Sequence, residues 1–282
     1  MHARSPDRGP RRRWLIRIAA LGIALVAMKP LVALLEPRLT FYPFRGETET
    51  PRTYGLPYEP LSIATDDGER LAAWWIPHPS ARADVVYFHG NGGNLSLWAP
   101  VLAGIQARGL NVLALDYRGY GTSTGSPSEE GLYQDAAAIV QAHARLRAPG
   151  RPVVYWGRSL GGPEAAYATT RARPDAVILE STFVNKRAVL RGNPVLRLLD
   201  TFARYRFDTA GHLRGYDGPA LVIHATGDTV IPFAAGRELF ERLRGDKQFL
   251  ELPTGDHNDV HGPSARTYWQ AIDGFISEIT GT

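Results

Sequence analysis

Short apolar runs alternate with longer stretches of helical periodicity over most of this chain, and that alternation restricts the fold more than any single motif. Val85-Val86-Tyr87-Phe88, Val112 to Leu115, Val153 to Trp156, Ala176 to Leu179, Ala220 to His224 and Gln248 to Leu252 are the candidate strands. Most are continuously apolar, as a strand covered on both faces must be. Asn94 to Ala107, Glu129 to Arg147, Phe233 to Arg244 and Ser264 to Ile279 carry the helical patterns between and after them. Strand following helix following strand predicts an α/β fold, a mostly parallel sheet with helices on both faces. Leu61 to Thr65 and Leu71 to Ile76, with Asp67-Gly68 between them as turn chemistry, predict an opening hairpin and bring the sheet to about eight strands. In such sheets ligands bind beyond the carboxyl ends of the strands.

Composition removes several chemistries. The chain has 282 residues, 44% of them hydrophobic, enough for the core of one large domain. It has no cysteine, so a thiol nucleophile, a thiolate metal site and a disulfide are all excluded. The net charge of +4 is unevenly placed: residues 1–40 hold eight basic and two acidic side chains, and the remainder 24 basic and 26 acidic. A body of that balance offers no nucleic-acid surface. Its tryptophans and tyrosines, which lack basic interleaving, read as core and pocket wall.

Arg11 to Arg13 precede an apolar stretch from Trp14 to Leu35 that Arg17, Lys29 and Pro30 interrupt. A span needs roughly 20 apolar residues; snorkelling of Arg17 and Lys29 to the interface makes the stretch just long enough. A single uncleaved membrane anchor is expected, with a cleaved signal peptide or a buried soluble helix as alternatives. The arginines before the stretch put the N-terminus in the cytoplasm and the body outside it, in the periplasm if the cell is bacterial, or secreted if the leader is cleaved. Lys29 and Arg38 weigh against that orientation. The expected organisation is a leader over 1–40, a Pro- and Gly-rich connector over 41–60 and a catalytic domain over 61–282.

Gly157-Arg158-Ser159-Leu160-Gly161 joins a buried strand to a helix start. A serine on so sharp a turn is held in strained backbone with its hydroxyl exposed at the sheet top, and the flanking glycines leave room for the turn to close. A serine hydroxyl needs a base to take its proton. With the nucleophile on such a turn, the triad runs serine, acid, histidine along the chain. Of the eight histidines, this order leaves His257 and His261; His257, in the polar loop after the last strand, is the expected base. Asp228, after Ala225-Thr226-Gly227, is the expected acid that orients it. Glu180, at the end of its own strand, is the rival. Strand 85–88 leads into His89-Gly90-Asn91-Gly92-Gly93-Asn94, where glycines let the backbone approach a substrate. The N–H groups of Asn91 and Leu160 are expected to form an oxyanion hole, each worth roughly 3 kcal/mol in comparable enzymes. No Gly-Lys-Ser/Thr follows, so this is not a phosphate loop. His89 is expected to buttress the loop, Asp116 and Arg118 to form a loop-fixing ion pair, and Asp259 to cap the last helix.

These motifs together resemble the α/β-hydrolase superfamily, and more narrowly its membrane-anchored α/β-hydrolase-domain and serine aminopeptidase-like members. The resemblance rests on Phe88 to Asn94, Asp116 to Ser123, Gly157 to Gly162, Asp228, Gly255 to Asp259, and the apolar leader followed by Leu39-Thr40-Phe41-Tyr42-Pro43. It implies Ser159, Asp228 and His257 as the triad, and esterases, lipases, fatty-acyl thioesterases and peptidases as the range of activities. One departure bears on substrate. Residues 183–218 leave at most 36 positions for a lid, so an open site and accessible esters are expected. Arg187, Arg191, Arg197, Arg204 and Arg206 make that segment basic, suited to acidic substrates or lipid headgroups. The expected activity is hydrolysis of a carboxylic ester or thioester through an acyl-enzyme, with no metal or organic cofactor. A peptidase and a non-catalytic binding protein on the same fold are the alternatives.

Overall fold

A computed structural model of the chain describes residues 9–259, 262 and 264–281. Eight strands form one sheet: β1 (Glu59–Ala64), β2 (Arg70–Ile76), β3 (Ala83–Phe88), β4 (Leu110–Leu115), β5 (Val153–Arg158), β6 (Ala176–Glu180), β7 (Ala220–Ala225) and β8 (Lys247–Leu252). Their order across the sheet is β8-β7-β6-β5-β3-β4-β2-β1. β1 and β2 pair antiparallel as the expected hairpin, β2 joins β4 antiparallel, and every other pairing is parallel. The chain therefore has the expected α/β architecture.

Helices α2 (Leu95–Gln106) and α9 (Ala265–Thr280) cover one face of the sheet; α3 (Glu129–Leu146), α4 (Gly161–Thr169) and α8 (Phe233–Arg242) cover the other. Every residue of β3, β4, β5, β6 and β7 is buried. Successive side chains of one strand feed opposite cores: Val85 and Tyr87 pack with α2 and α9, Val86 and Phe88 with the other layer. Each such Val, Leu, Ile or Phe stabilises the fold by about 1.5–3 kcal/mol relative to exposure. Asn94 caps α2 and Ser128 caps α3, each side chain accepting a backbone N–H of the first turn.

The segment between β6 and β7 forms a small cap of short helices, α5 (Lys186–Val189), α6 (Pro194–Asp200) and α7 (Thr209–His212). The leader forms α1 (Gly9–Thr40), 32 residues long. At 1.5 Å per residue it extends about 48 Å. Even so, among the described residues no helix is long and apolar enough to cross a membrane. Arg17, Lys29, Glu36 and Arg38 punctuate α1, and the side chains at 21 and 23–25 lie outside those described. The single span expected from the leader is not shown by the described residues. The stretch after α1 is more than a connector. Phe41 is buried in the core, and Tyr42-Pro43 pairs in parallel with Gly92-Gly93 on the loop after β3.

Candidate active site

The turn between β5 and α4 places Ser159 at the carboxyl end of the sheet. Its φ is 53°, left-handed backbone that a residue with a side chain adopts only where its surroundings enforce it. Two hydrogen bonds do so: the Ser159 N–H donates to the Glu180 carbonyl at 2.9 Å, and the Ser159 carbonyl accepts from Thr182 Oγ1 at 2.7 Å. Space dictates the flanking glycines. A Cβ on Gly157 would stand 2.2 Å from the Gly161 carbonyl oxygen, and one on Gly161 2.0 Å from that of Phe88.

The loops after β7 and β8 bring Asp228 and His257 to that serine. His257 Nε2 lies 3.0 Å from Ser159 Oγ, and His257 Nδ1 lies 2.8 Å from Asp228 Oδ2. Asp228 Oδ1 accepts the N–H groups of Val230 and Ile231 at 2.9 and 2.7 Å. Its Oδ2 also stands 3.4 Å from Nε2 of the buried His224. Burial alone would raise the Asp228 pKa. Hydrogen bonds from His224 and His257, and the charge on His257, outweigh it and hold the carboxyl well below its ordinary value. Asp256 ties the two loops together, its Oδ1 accepting the N–H groups of Thr229 and His257 at 2.7 and 2.6 Å.

Asn91 and Leu160 line the same cavity as Ser159. The Leu160 N–H stands at the amino end of α4, where a helix leaves its first N–H groups unpaired. The Asn91 side chain pins its loop to the leader: Oδ1 accepts the Tyr42 N–H at 3.1 Å, and Nδ2 donates to the Thr40 carbonyl at 2.6 Å. The cavity holds about 660 Å³, within the usual range for small-molecule sites. Leu97, Trp98, Val101, Phe183, Val189 and Phe207 give it mostly apolar walls, with Lys186 among them.

Other expected residues fall in different places. Asp228, not Glu180, takes the His257 Nδ1 bond; Glu180 forms a buried ion pair with Arg158 at 3.1 Å and accepts from Trp156 Nε1 and the Tyr268 hydroxyl at 3.0 and 2.9 Å. His261 lies outside the described residues. Burial pushes the His89 pKa down to about 4, so the ring is neutral; it packs 4.4 Å from the Tyr117 ring and 2.7 Å from the Gly90 carbonyl, a buttress as expected. The Asp116–Arg118 ion pair does not form. Arg118 instead bonds Asp67 and Asp135 at 2.7 and 2.8 Å, and Asp116, pushed up to about 7 by burial, accepts the Leu95 N–H. Asp259 accepts the Asp256 N–H within its own loop, while Ser264 occupies the N-cap of α9.

Arg158 was not foreseen. It is buried, its Nη2 donates to the His257 carbonyl at 2.9 Å, and its guanidinium lies 5.1 Å over the Trp98 ring. A signal was present: an arginine ending an apolar strand needs a buried partner, and Glu180, its register neighbour on β6, ends the adjacent strand.

Comparison with known proteins decides the family. A sequence model described as serine aminopeptidase, S33, matches residues 79–212. An uncharacterized membrane protein of Saccharomyces cerevisiae is 32% identical over 247 residues, covering 83% of this chain and 84% of that one. An α/β-hydrolase domain-containing protein of Arabidopsis thaliana, WAV2, is 31% identical over 285 residues, covering 91% and 92%. The chain belongs to the α/β-hydrolase superfamily. Among solved structures, an esterase of Pyrococcus furiosus superposes on this hydrolase with a TM-score of 0.69 at 20% identity, covering 85% of this chain and 99% of that one. At that identity the likeness is one of fold.

Proposed function

We propose that this α/β-hydrolase is a serine hydrolase that cleaves carboxylic esters or thioesters through an acyl-enzyme. The observation that carries the reading is the hydrogen-bonded row Asp228–His257–Ser159 on the wall of a largely apolar cavity. Ser159 Oγ attacks the substrate carbonyl as His257 Nε2 takes its proton. Asp228 holds the His257 Nδ1–H and stabilises the imidazolium that forms. The N–H groups of Leu160 and Asn91 donate to the oxyanion. Collapse expels the alcohol or thiol, which takes the proton from His257. Water, deprotonated by the same histidine, then releases the acid and restores Ser159. The catalytic unit is residues 61–282, and membrane association of the leader belongs to the same reading; a yeast relative named a membrane protein supports it.

The cavity favours an ester over a peptide with a free amino end. The basic side chains among its described lining are Arg158, Lys186 and His257, and that lining has no carboxylate to receive an ammonium group. The test is turnover of p-nitrophenyl esters of increasing chain length against aminoacyl-nitroanilides. Ester turnover without anilide turnover is expected. The reverse would replace this reading by a peptidase.

A further inference from the structure

Exposed large hydrophobic side chains concentrate in the leader, just after it and in the cap. Among the described residues there are 19, and 15 of them lie on α1, at Tyr42 and Phe44, or on α6. Leu97 and Val230, two of the remaining four, line the Ser159 cavity. Helix α6 is the densest case: of its seven residues, Val195, Leu196, Leu198 and Leu199 are all exposed, Leu198 to 65%. Patches of this kind mark interaction surfaces.

The positive charge belongs to the same two segments of the sequence. Residues 183–206 hold six basic side chains against one acidic, and residues 1–40 eight against two, whereas the rest of the chain holds 18 basic against 25 acidic. The two basic segments are fastened to each other. Glu36, buried near the end of α1, accepts Lys186 Nζ at 2.9 Å and the N–H groups of Arg204 and Tyr205 at 2.7 and 3.1 Å. Lys186 Nζ in turn lies 2.8 Å from Asp200, the last residue of α6. The same fastened elements supply Thr40, Tyr42, Lys186, Val189 and Leu190 to the cavity wall.

We propose that α6 and the adjoining end of α1 dock on an anionic lipid bilayer, turning the mouth of the Ser159 cavity toward the membrane surface. An anionic bilayer complements both properties of this face, accepting leucines below the headgroups and arginines among them. It also orients the molecule, since the acidic remainder is repelled from the surface that attracts the basic end. A second copy fits less well. The other exposed large hydrophobics are only Tyr54 and Leu146 among the described residues, so the apolar face another copy offers is this same one, with the same charge. This contact is separate from any span by the leader, because α6 follows the sheet strand β6 in the chain. The consequence for substrate, an acyl ester presented at a membrane surface, rests on the proposed hydrolase activity; the docking itself does not.

Because the chain has no cysteine, Leu198→Cys in the full chain can carry a single polarity-sensitive fluorophore such as nitrobenzoxadiazole. Ala148→Cys, exposed in the turn before β5 at the opposite end of the sheet, is the control. With vesicles of phosphatidylcholine and phosphatidylglycerol, the Leu198 label is expected to shift to the blue and the Ala148 label to stay unchanged. The shift should shrink in about 1 M salt, where the Debye length is about 3 Å. Three results would overturn the proposal: no shift at Leu198 with vesicles, equal shifts at both positions, or a shift without vesicles that grows with protein concentration, which would assign the face to a second copy. An equal shift on phosphatidylcholine alone would overturn the anionic preference. The readout needs no turnover, so loss of the hydrolase reading and loss of docking are separable.

Discussion

At the scale of single residues, the site rests on side chains whose protonation is set by their surroundings. Asp228 is the clearest, a carboxylate kept ionised by two histidines and two N–H groups. Asp228→Asn removes that charge with little change of shape and leaves His257 free to adopt the wrong tautomer. Ester turnover is expected to fall about 10⁴-fold, as it does for the same change in a serine protease triad. The sign of the linked stability follows from the shift. A folded-state pKa held below the ordinary 3.8 adds stability above that pH, lost as pH falls through the lower folded value. The stability difference between the two proteins, followed by thermal unfolding across pH, should therefore contain a part present at pH 7 that fades below about pH 4; a difference constant with pH would contradict the assignment. That Ser159, Asp228 and His257 would meet, with Asn91 and Leu160 beside the same cavity, was legible in the sequence from chain order and strand ends. His224 as the second partner of Asp228 was not, since a histidine inside an apolar strand looks the same whether or not it faces a carboxylate.

At the scale of elements, a buried charge ties the His257 loop to the strands β5 and β6. Arg158 at the end of β5 bonds Glu180 at the end of β6 and the carbonyl of His257 beyond β8. Glu180 is bound in turn to Trp156 and to Tyr268 of α9. Arg158→Met strands the Glu180 carboxylate, which in other proteins costs about 3–5 kcal/mol. Beyond that loss, kcat for a soluble ester is expected to fall with KM little changed, because the His257 loop loses a tie while the apolar walls of the cavity stay in place; Arg158→Lys should recover stability more than kcat. Equal loss in kcat and KM, or none, would make Arg158 purely structural. The strands and long helices were read from periodicity with nearly their observed bounds. The short cap helices were not, because segments of four to seven residues carry too little periodicity to register. The Asp116–Arg118 pair failed for a related reason: adjacency in sequence says nothing of the α3 aspartate, Asp135, that Arg118 reaches instead.

At the scale of the whole molecule, the chain divides by charge and polarity. A near-neutral to acidic α/β body carries the hydrogen-bonded row Asp228–His257–Ser159 at the carboxyl end of its sheet, and the basic, apolar leader and cap both contribute walls to the cavity beside it. Charge and hydropathy of the leader were legible in the sequence, but not its fastening to the cap through Glu36, a contact between residues 150 or more positions apart. The proposed chemistry depends on Ser159. Full-length protein treated with a fluorophosphonate, digested and analysed by mass spectrometry should carry the phosphonyl group on the peptide containing Ser159, with ester turnover lost in proportion; Ser159→Ala should take up no label and turn over no ester while unfolding at the wild-type temperature within a few degrees. A label on another serine, or ester hydrolysis retained by Ser159→Ala, would contradict it.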